Sequence, residues 1–238
     1  LPKVWDCFSY YCEKELLILR IEFLYPYVDY FVITEADMTH QAKAKSFELK
    51  KIVEQELAWA KSKIIVLELK CDLDNLPKTN YPEKTDLKFG ETFDTLGWRI
   101  ENLQRNWSMK VIEDIDPEDI ILIGDLDEFP NWRVLDYLDY ITTKKETFAL
   151  GQVQCLYYLD TNLKVDNEDY CWIGTVIGKR KNLQTPQGWR DTRQLTWYDE
   201  LKVIFKLEDI MQKVKRLEDP FSRQGYTIHQ FDIDNNIF

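Results

Sequence analysis

The chain alternates short apolar runs with amphipathic stretches, and that alternation is its first legible feature. Val4 to Phe8 predicts a strand, with Asp6 and Cys7 near its end. Glu13 to Leu24 predicts a helix, because Leu17, Ile21 and Leu24 recur at helical spacing and the acidic Glu13 and Glu15 suit its positive end. Asp29 to Glu35 predicts a buried strand that delivers Glu35 to its C-terminal end. A helix over Lys45 to Ala60 and a third strand over Lys63 to Leu69 follow. Strand and helix in strict succession indicate a mostly parallel central sheet covered by helices. The fold class is therefore α/β.

Cys71 to Phe89, with Pro77, Pro82 and many polar residues, interrupts the rhythm as a surface excursion. Thr92 to Met109 resumes it as a helix, carrying Leu96, Ile100, Leu103 and Trp107 on one stripe. Asp116 to Asp119 forms the turn before the most apolar run, Ile120 to Gly124, a further buried strand. Asn131 to Tyr140 predicts the next helix. After Thr147 the texture becomes rich in Tyr, Trp, Cys and Val, predicting strands over Phe148 to Leu159 and Tyr170 to Ile177 in a mixed second half. A last helix is predicted over 203–217, and Gly225 to Phe231 as a short strand or a segment folding back over the site. Residues 1–238 are read as a single domain in two halves, 1–145 and 146–238, the second ending in a C-terminal helix and tail.

Composition narrows the possible partners. A formal net charge of -11 argues against a general polyanion binder, so nucleic acid is not expected. The densest basic cluster, Gly178-Lys179-Arg180-Lys181, reads as a solvated turn. Five irregularly spaced cysteines match neither a disulfide framework nor a zinc pattern. Cys155 and Cys171, in apolar surroundings, read as buried thiols. No apolar run is long enough to span a bilayer. These features favour a cytoplasmic location, with a secretory-pathway location equally consistent with a leader or anchor outside this stretch. The 8 Trp and 13 Tyr are enough to ask where the rings go, and Tyr158, Trp172 and Trp189 are candidates for an apolar wall lining a site as well as for core.

Candidate chemistry centres on Asp125-Leu126-Asp127-Glu128. Ligands of open α/β sheets collect outside the carboxyl ends of the strands, where the run from Ile120 to Gly124 delivers this cluster. Hard oxygen donors suit Mn²⁺ or Mg²⁺, which need few protein groups when phosphates complete the shell. Three crowded carboxylates are costly unless a cation visits. An acidic surface turn is the plain alternative. A phosphatase with Asp125 as nucleophile is another, although Phe129 occupies the fifth position where that class has Thr or Val.

Several blocks give these residues a context: Val4-Trp5-Asp6-Cys7-Phe8, Glu15-Leu16-Leu17 with Arg20, Val28 to Glu35, Gln104-Arg105-Asn106, and Asp119 to Pro130. Together they resemble glycosyltransferase family 17, the group containing β-1,4-mannosyl-glycoprotein β-1,4-N-acetylglucosaminyltransferase. Weaker matches at Tyr157-Tyr158-Leu159, Trp172-Ile173-Gly174 and Arg190/Arg193 extend the resemblance to about residue 195. It implies a GT-A-like fold, a divalent ion, a UDP-sugar donor (UDP-GlcNAc or another such as UDP-xylose), a glycan acceptor and inversion at the anomeric carbon. The family's Gly-Gly-Trp-His-Phe-Ser block is absent. Gly188-Trp189-Arg190-Asp191 and Leu195-Thr196-Trp197-Tyr198 stand in its place, which leaves donor and acceptor open. A glycan-binding protein without activity is the non-enzyme alternative.

On that resemblance Asp127 is expected to ligate the metal directly, with Asp125 towards the ribose or the ion's water shell and His229 as an added nitrogen ligand. Glu128 is either an outer partner of the ion or an electrostatic partner for an arginine. Glu35 is expected to accept a hydrogen bond from the nucleotide, or else to cap a helix. Arg105, Arg190 and Arg193 are expected at the diphosphate, as planar multidentate donors. Inversion needs a carboxylate on the opposite face of the donor carbon. Asp191 is the first candidate, with Glu168 and Asp169 next.

Overall fold

The computed structural model describes residues 1–79, 94–130, 147–153, 164–165, 168–169 and 171–192. Within these, strands β1 (Val4–Tyr10), β2 (Tyr30–Ala36), β3 (Ile64–Leu69), β4 (Ile120–Asp125), β5 (Thr147–Val153) and β8 (Cys171–Lys179) form one sheet. The short strands β6 (Lys164–Val165) and β7 (Glu168–Asp169) pair separately. The helices are α1 (Lys14–Leu24), α2 (Leu49–Gln55), α3 (Leu96–Asn106), α4 (Met109–Ile112) and α5 (Pro186–Thr192).

The sheet order is β3-β2-β1-β4-β8-β5. The first four strands run parallel, whereas β8 is antiparallel to both β4 and β5. The α/β reading and the mixed character of the second half therefore both hold. Strands β1 to β3 wind outward in one direction, and the chain then crosses back to place β4 on the other side of β1. A topological switch point thus opens between the carboxyl ends of β1 and β4, with Ser9 opposite Asp125.

Alternation along the strands assigns each side chain to a face. Val4, Phe8, Phe31, Ile33, Ile120 and Leu122 pack against Leu16, Leu17, Ile21 and Leu24 of α1 and Leu49, Ile52 and Val53 of α2. Each fully buried aliphatic or aromatic side chain contributes about 1.5–3 kcal/mol, so α1 is held chiefly by its stripe. Trp5, Cys7, Val32, Ile121 and Ile123 face the other way, onto Ile112 of α4 and Trp189 of α5. Trp189 is therefore core, its indole N–H donating to the Asn182 carbonyl at 3.1 Å. Burial raises the Cys7 thiol well above its ordinary value, with the Asp6 carboxylate adding to the effect. Cys7, Cys12 and Cys71 carry free thiols.

Two predicted helices are shorter than expected. Lys45 to Glu48 is not helical, because Lys45 N–H donates to the Asp37 carbonyl at 2.8 Å in a turn closed by a Met38–Ala44 bridge. Helix α2 begins only after Glu48, and a separate 3₁₀ turn spans Ala58–Lys63. The long helix expected up to Met109 ends at Asn106, and α4 starts anew after Ser108. At its other end Thr95 caps α3, its hydroxyl accepting the Trp98 N–H at 3.2 Å. Helix α5 has no counterpart in the hydrophobic pattern. The predicted helices over 131–140 and 203–217, the tail at 225–231, and Tyr158 and Cys155 lie outside the described residues.

Candidate active site at the carboxyl end of β4

Strand β4 ends at Asp125, and the chain turns at once, the Glu128 N–H donating to the Asp125 carbonyl at 3.0 Å. Alternation sends Asp125 to the face covered by α3 and α5. There Arg105 Nη2 donates to Asp125 Oδ1 at 2.8 Å and to Glu101 at 2.9 Å. Arg190 Nη2 donates to Asp125 Oδ2 at 2.5 Å and to Glu128 Oε1 at 3.0 Å. Its Nη1 contacts the other Glu128 oxygen and the Gly174 carbonyl, the latter at 3.2 Å. Glu128 is completely buried, and its carboxylate also accepts the Asp125 N–H at 3.0 Å.

Arg105 and Arg190 were expected at a diphosphate. Both are buried and paired with carboxylates of the acidic turn. Burial by itself lowers the affinity of each guanidinium for its proton. The adjoining Asp125, with Glu101 beside Arg105 and Glu128 beside Arg190, outweighs that and raises both above their ordinary value. Arg105 is joined to α5 as well, since its Nη1 donates to Gln187 Oε1 and Gln187 Nε2 donates to Asp191 Oδ1 at 2.8 Å. Asp191 thus sits on the same helix as Arg190 and within one residue's reach of the Arg105–Asp125 pair.

On the opposite face of β4, Arg20 of α1 is fully buried. Its Nε and Nη2 hold both oxygens of Asp6 at 2.8 Å, and its Nη1 donates to the carbonyls of Asp125, Leu126 and Glu128 at 3.0, 3.2 and 2.6 Å. The guanidinium also lies against the Phe8 ring, 4.6 Å from its centroid. Gly124 is required where this crowding peaks. A Cβ there would stand 2.8 Å from the Thr175 hydroxyl, 3.3 Å from Glu128 Oε2 and 3.5 Å from Arg20 Nη2. Gly124→Ala should therefore lower stability by about 1–3 kcal/mol in urea unfolding, with most of the loss recovered when Thr175→Ala is added.

Other expected site residues lie elsewhere. Glu35 is fully buried and caps α2, accepting the N–H groups of Glu48 and Leu49 at 3.0 Å each and an ion pair from Lys45 at 2.7 Å. The structure thus displays the capping alternative for Glu35. Glu168 and Asp169 form β7, apart from the main sheet. Arg193 and His229 lie outside the described residues. Lys179 and Lys181 pair with exposed Glu118 at 2.9 and 2.7 Å, which agrees with a solvated basic turn. Arg20 and Asp6 are the residues that sequence reasoning passed over. An arginine on the apolar stripe of a helix, following a buried strand that carries an aspartate, is the sequence signal that points to them.

Among the described residues no group of three or more His, Cys, Asp or Glu side chains is arranged to hold a metal ion. A cage made wholly of protein ligands is therefore not built there. The acidic turn nevertheless offers individual carboxylates, Asp127 and the 35 % exposed side chain of Asp125 standing together at the end of β4. An ion that takes one or two carboxylates and completes its shell with phosphate and water fits this donor set.

An acidic cluster at the switch point of a largely parallel sheet is the arrangement of an α/β enzyme that binds its ligand beyond the strand ends. The chain belongs to glycosyltransferase family 17, whose family model matches residues 1–184. No curated protein sequence matches it. Membership makes sugar transfer its activity in general terms and implies a nucleotide-sugar donor. No described helix is long and apolar enough to cross a membrane.

Proposed function

We propose that the protein is a metal-dependent, inverting transferase that moves a sugar from a UDP-sugar, such as UDP-GlcNAc or UDP-xylose, to a hydroxyl of a glycan. The observation that carries this reading is the cluster of carboxylates at the end of β4, at the switch point beside β1, in a chain of a glycosyltransferase family. Asp127, with Asp125, would hold Mn²⁺ or Mg²⁺, and the bound ion would neutralise charge on the leaving diphosphate. Arg105 and Arg190 fix Asp125 from two sides, so the carboxylate is oriented before any ligand arrives. Asp191, on α5 and held by Gln187, would accept the proton of the attacking acceptor hydroxyl. Glu168 and Asp169 are the alternative candidates for that role.

A phosphatase using Asp125 as nucleophile is the weaker reading. Both Asp125 oxygens already accept guanidinium N–H groups, which lowers their nucleophilicity, and the fifth position is the buried Phe129. Calorimetry separates the readings. UDP should bind with Mn²⁺ present and weaken at least tenfold without it, and one UDP-sugar should be hydrolysed faster than the rest of a panel. Absence of metal-linked UDP binding would sink the proposal.

A further inference from the structure

We infer that Arg20 is a positioning residue for the acidic turn: anchored on Asp6, it gathers the main-chain carbonyls of Asp125, Leu126 and Glu128 and thereby sets how Asp127 is presented. Its consequence for ligand binding rests on the transferase reading above, whereas its effect on the turn does not.

Leu126 and Glu128 are buried, and a buried carbonyl without a donor is costly. One nitrogen of Arg20 serves all three acceptors, while the Asp125 carbonyl also takes the Glu128 N–H at 3.0 Å and the Glu128 carbonyl the Thr175 hydroxyl at 3.4 Å. The fork geometry makes this possible, because Nε and Nη2 engage Asp6 side by side while Nη1 remains directed at the turn. Asp6 stands within β1, one strand from β4, so the turn is referenced to the middle of the sheet. Gly124 leaves the room through which the guanidinium reaches it, a Cβ there lying 3.5 Å from Nη2. Of the four residues Asp125 to Glu128, Asp127 is the one whose carbonyl Arg20 does not take.

A purely structural ion pair would behave differently. Buried pairs replaced on both sides by apolar residues of similar size often leave stability unchanged. The double variant Asp6→Leu/Arg20→Met should therefore fold, yet it removes the donor to all three carbonyls. Arg20→Lys keeps a charge opposite Asp6 but cannot form the fork, so it should fold and fail to restore the turn.

Amide hydrogen exchange on the full chain reads this without any ligand. In both variants the Glu128 amide should exchange at least tenfold faster, while the amides of Ile121 to Ile123 in β4 stay within a few-fold of the parent protein. In calorimetry, Mn²⁺-linked UDP affinity should fall by roughly 10–100-fold, the range for groups that orient ligands. Unchanged Glu128 exchange in either folded variant would overturn the inference, as would restoration by Arg20→Lys. If the parent protein itself binds no UDP with Mn²⁺, the transferase reading fails, and hydrogen exchange still decides the role of Arg20.

Discussion

Arg190→Met should lower the unfolding free energy by about 3–5 kcal/mol, the cost of removing one partner from a buried ion pair. Arg190 is 1 % exposed and Glu128 0 %, so no solvent can replace the lost contacts. The variant takes a guanidinium N–H from each Glu128 oxygen, leaving Oε2 the Asp125 N–H, and withdraws one of the two guanidinium groups on Asp125. Asp125 suffers less, because its side chain is 35 % exposed and keeps Arg105. The stake is large, since whole domains are stable by only about 5–15 kcal/mol. For a chain of this length the loss corresponds to roughly 6–20 °C in the thermal midpoint. The double variant Glu128→Leu/Arg190→Met should recover most of it, because the stranded charge is then gone. A single variant within 1 kcal/mol of the parent in urea unfolding would show that the pair does not hold α5 to the turn.

Asp127→Asn should weaken Mn²⁺-linked UDP binding by about 100-fold or more with the fold intact. Groups that merely orient a ligand already cost 10–100-fold, and this change removes a charge proposed to touch the ion. Asn keeps the size and one acceptor oxygen, so the packing of a residue only 9 % exposed is preserved. Arg20 and Arg190 continue to hold the backbone and Glu128. The measurements are calorimetry with and without Mn²⁺ and a thermal melt within a few degrees of the parent. Retained metal-linked affinity in a folded Asp127→Asn protein would remove Asp127 from the site.

Asp127 and Arg190 stand on opposite sides of what the sequence makes legible. Asp127 is legible as a candidate because an apolar run followed at once by carboxylates places them at a strand end. Arg190 is legible only as a basic residue, and its expected task was to meet phosphate. Its position under the turn depends on α5, a helix of seven residues with no long apolar stripe. Helices so short take their stability from tertiary contacts. Here those are Trp189 in the core, Gln187 against Arg105 and Asn106, and Arg190 against Glu128.

The sequence by itself determined the strands β1, β2, β3 and β4, the core stripe of α1, and the carboxylates at the end of β4. Each of these follows from local periodicity, which survives in any arrangement of the elements. Tertiary structure alone decided that β4 crosses to the far side of β1, that Glu35 turns back to cap α2, and that Asp6 and Arg20 meet across 14 positions. It also decided that Arg105 and Arg190 converge on Asp125. Charged groups carry no periodic signature, and the partner that makes burying one tolerable is chosen by the fold.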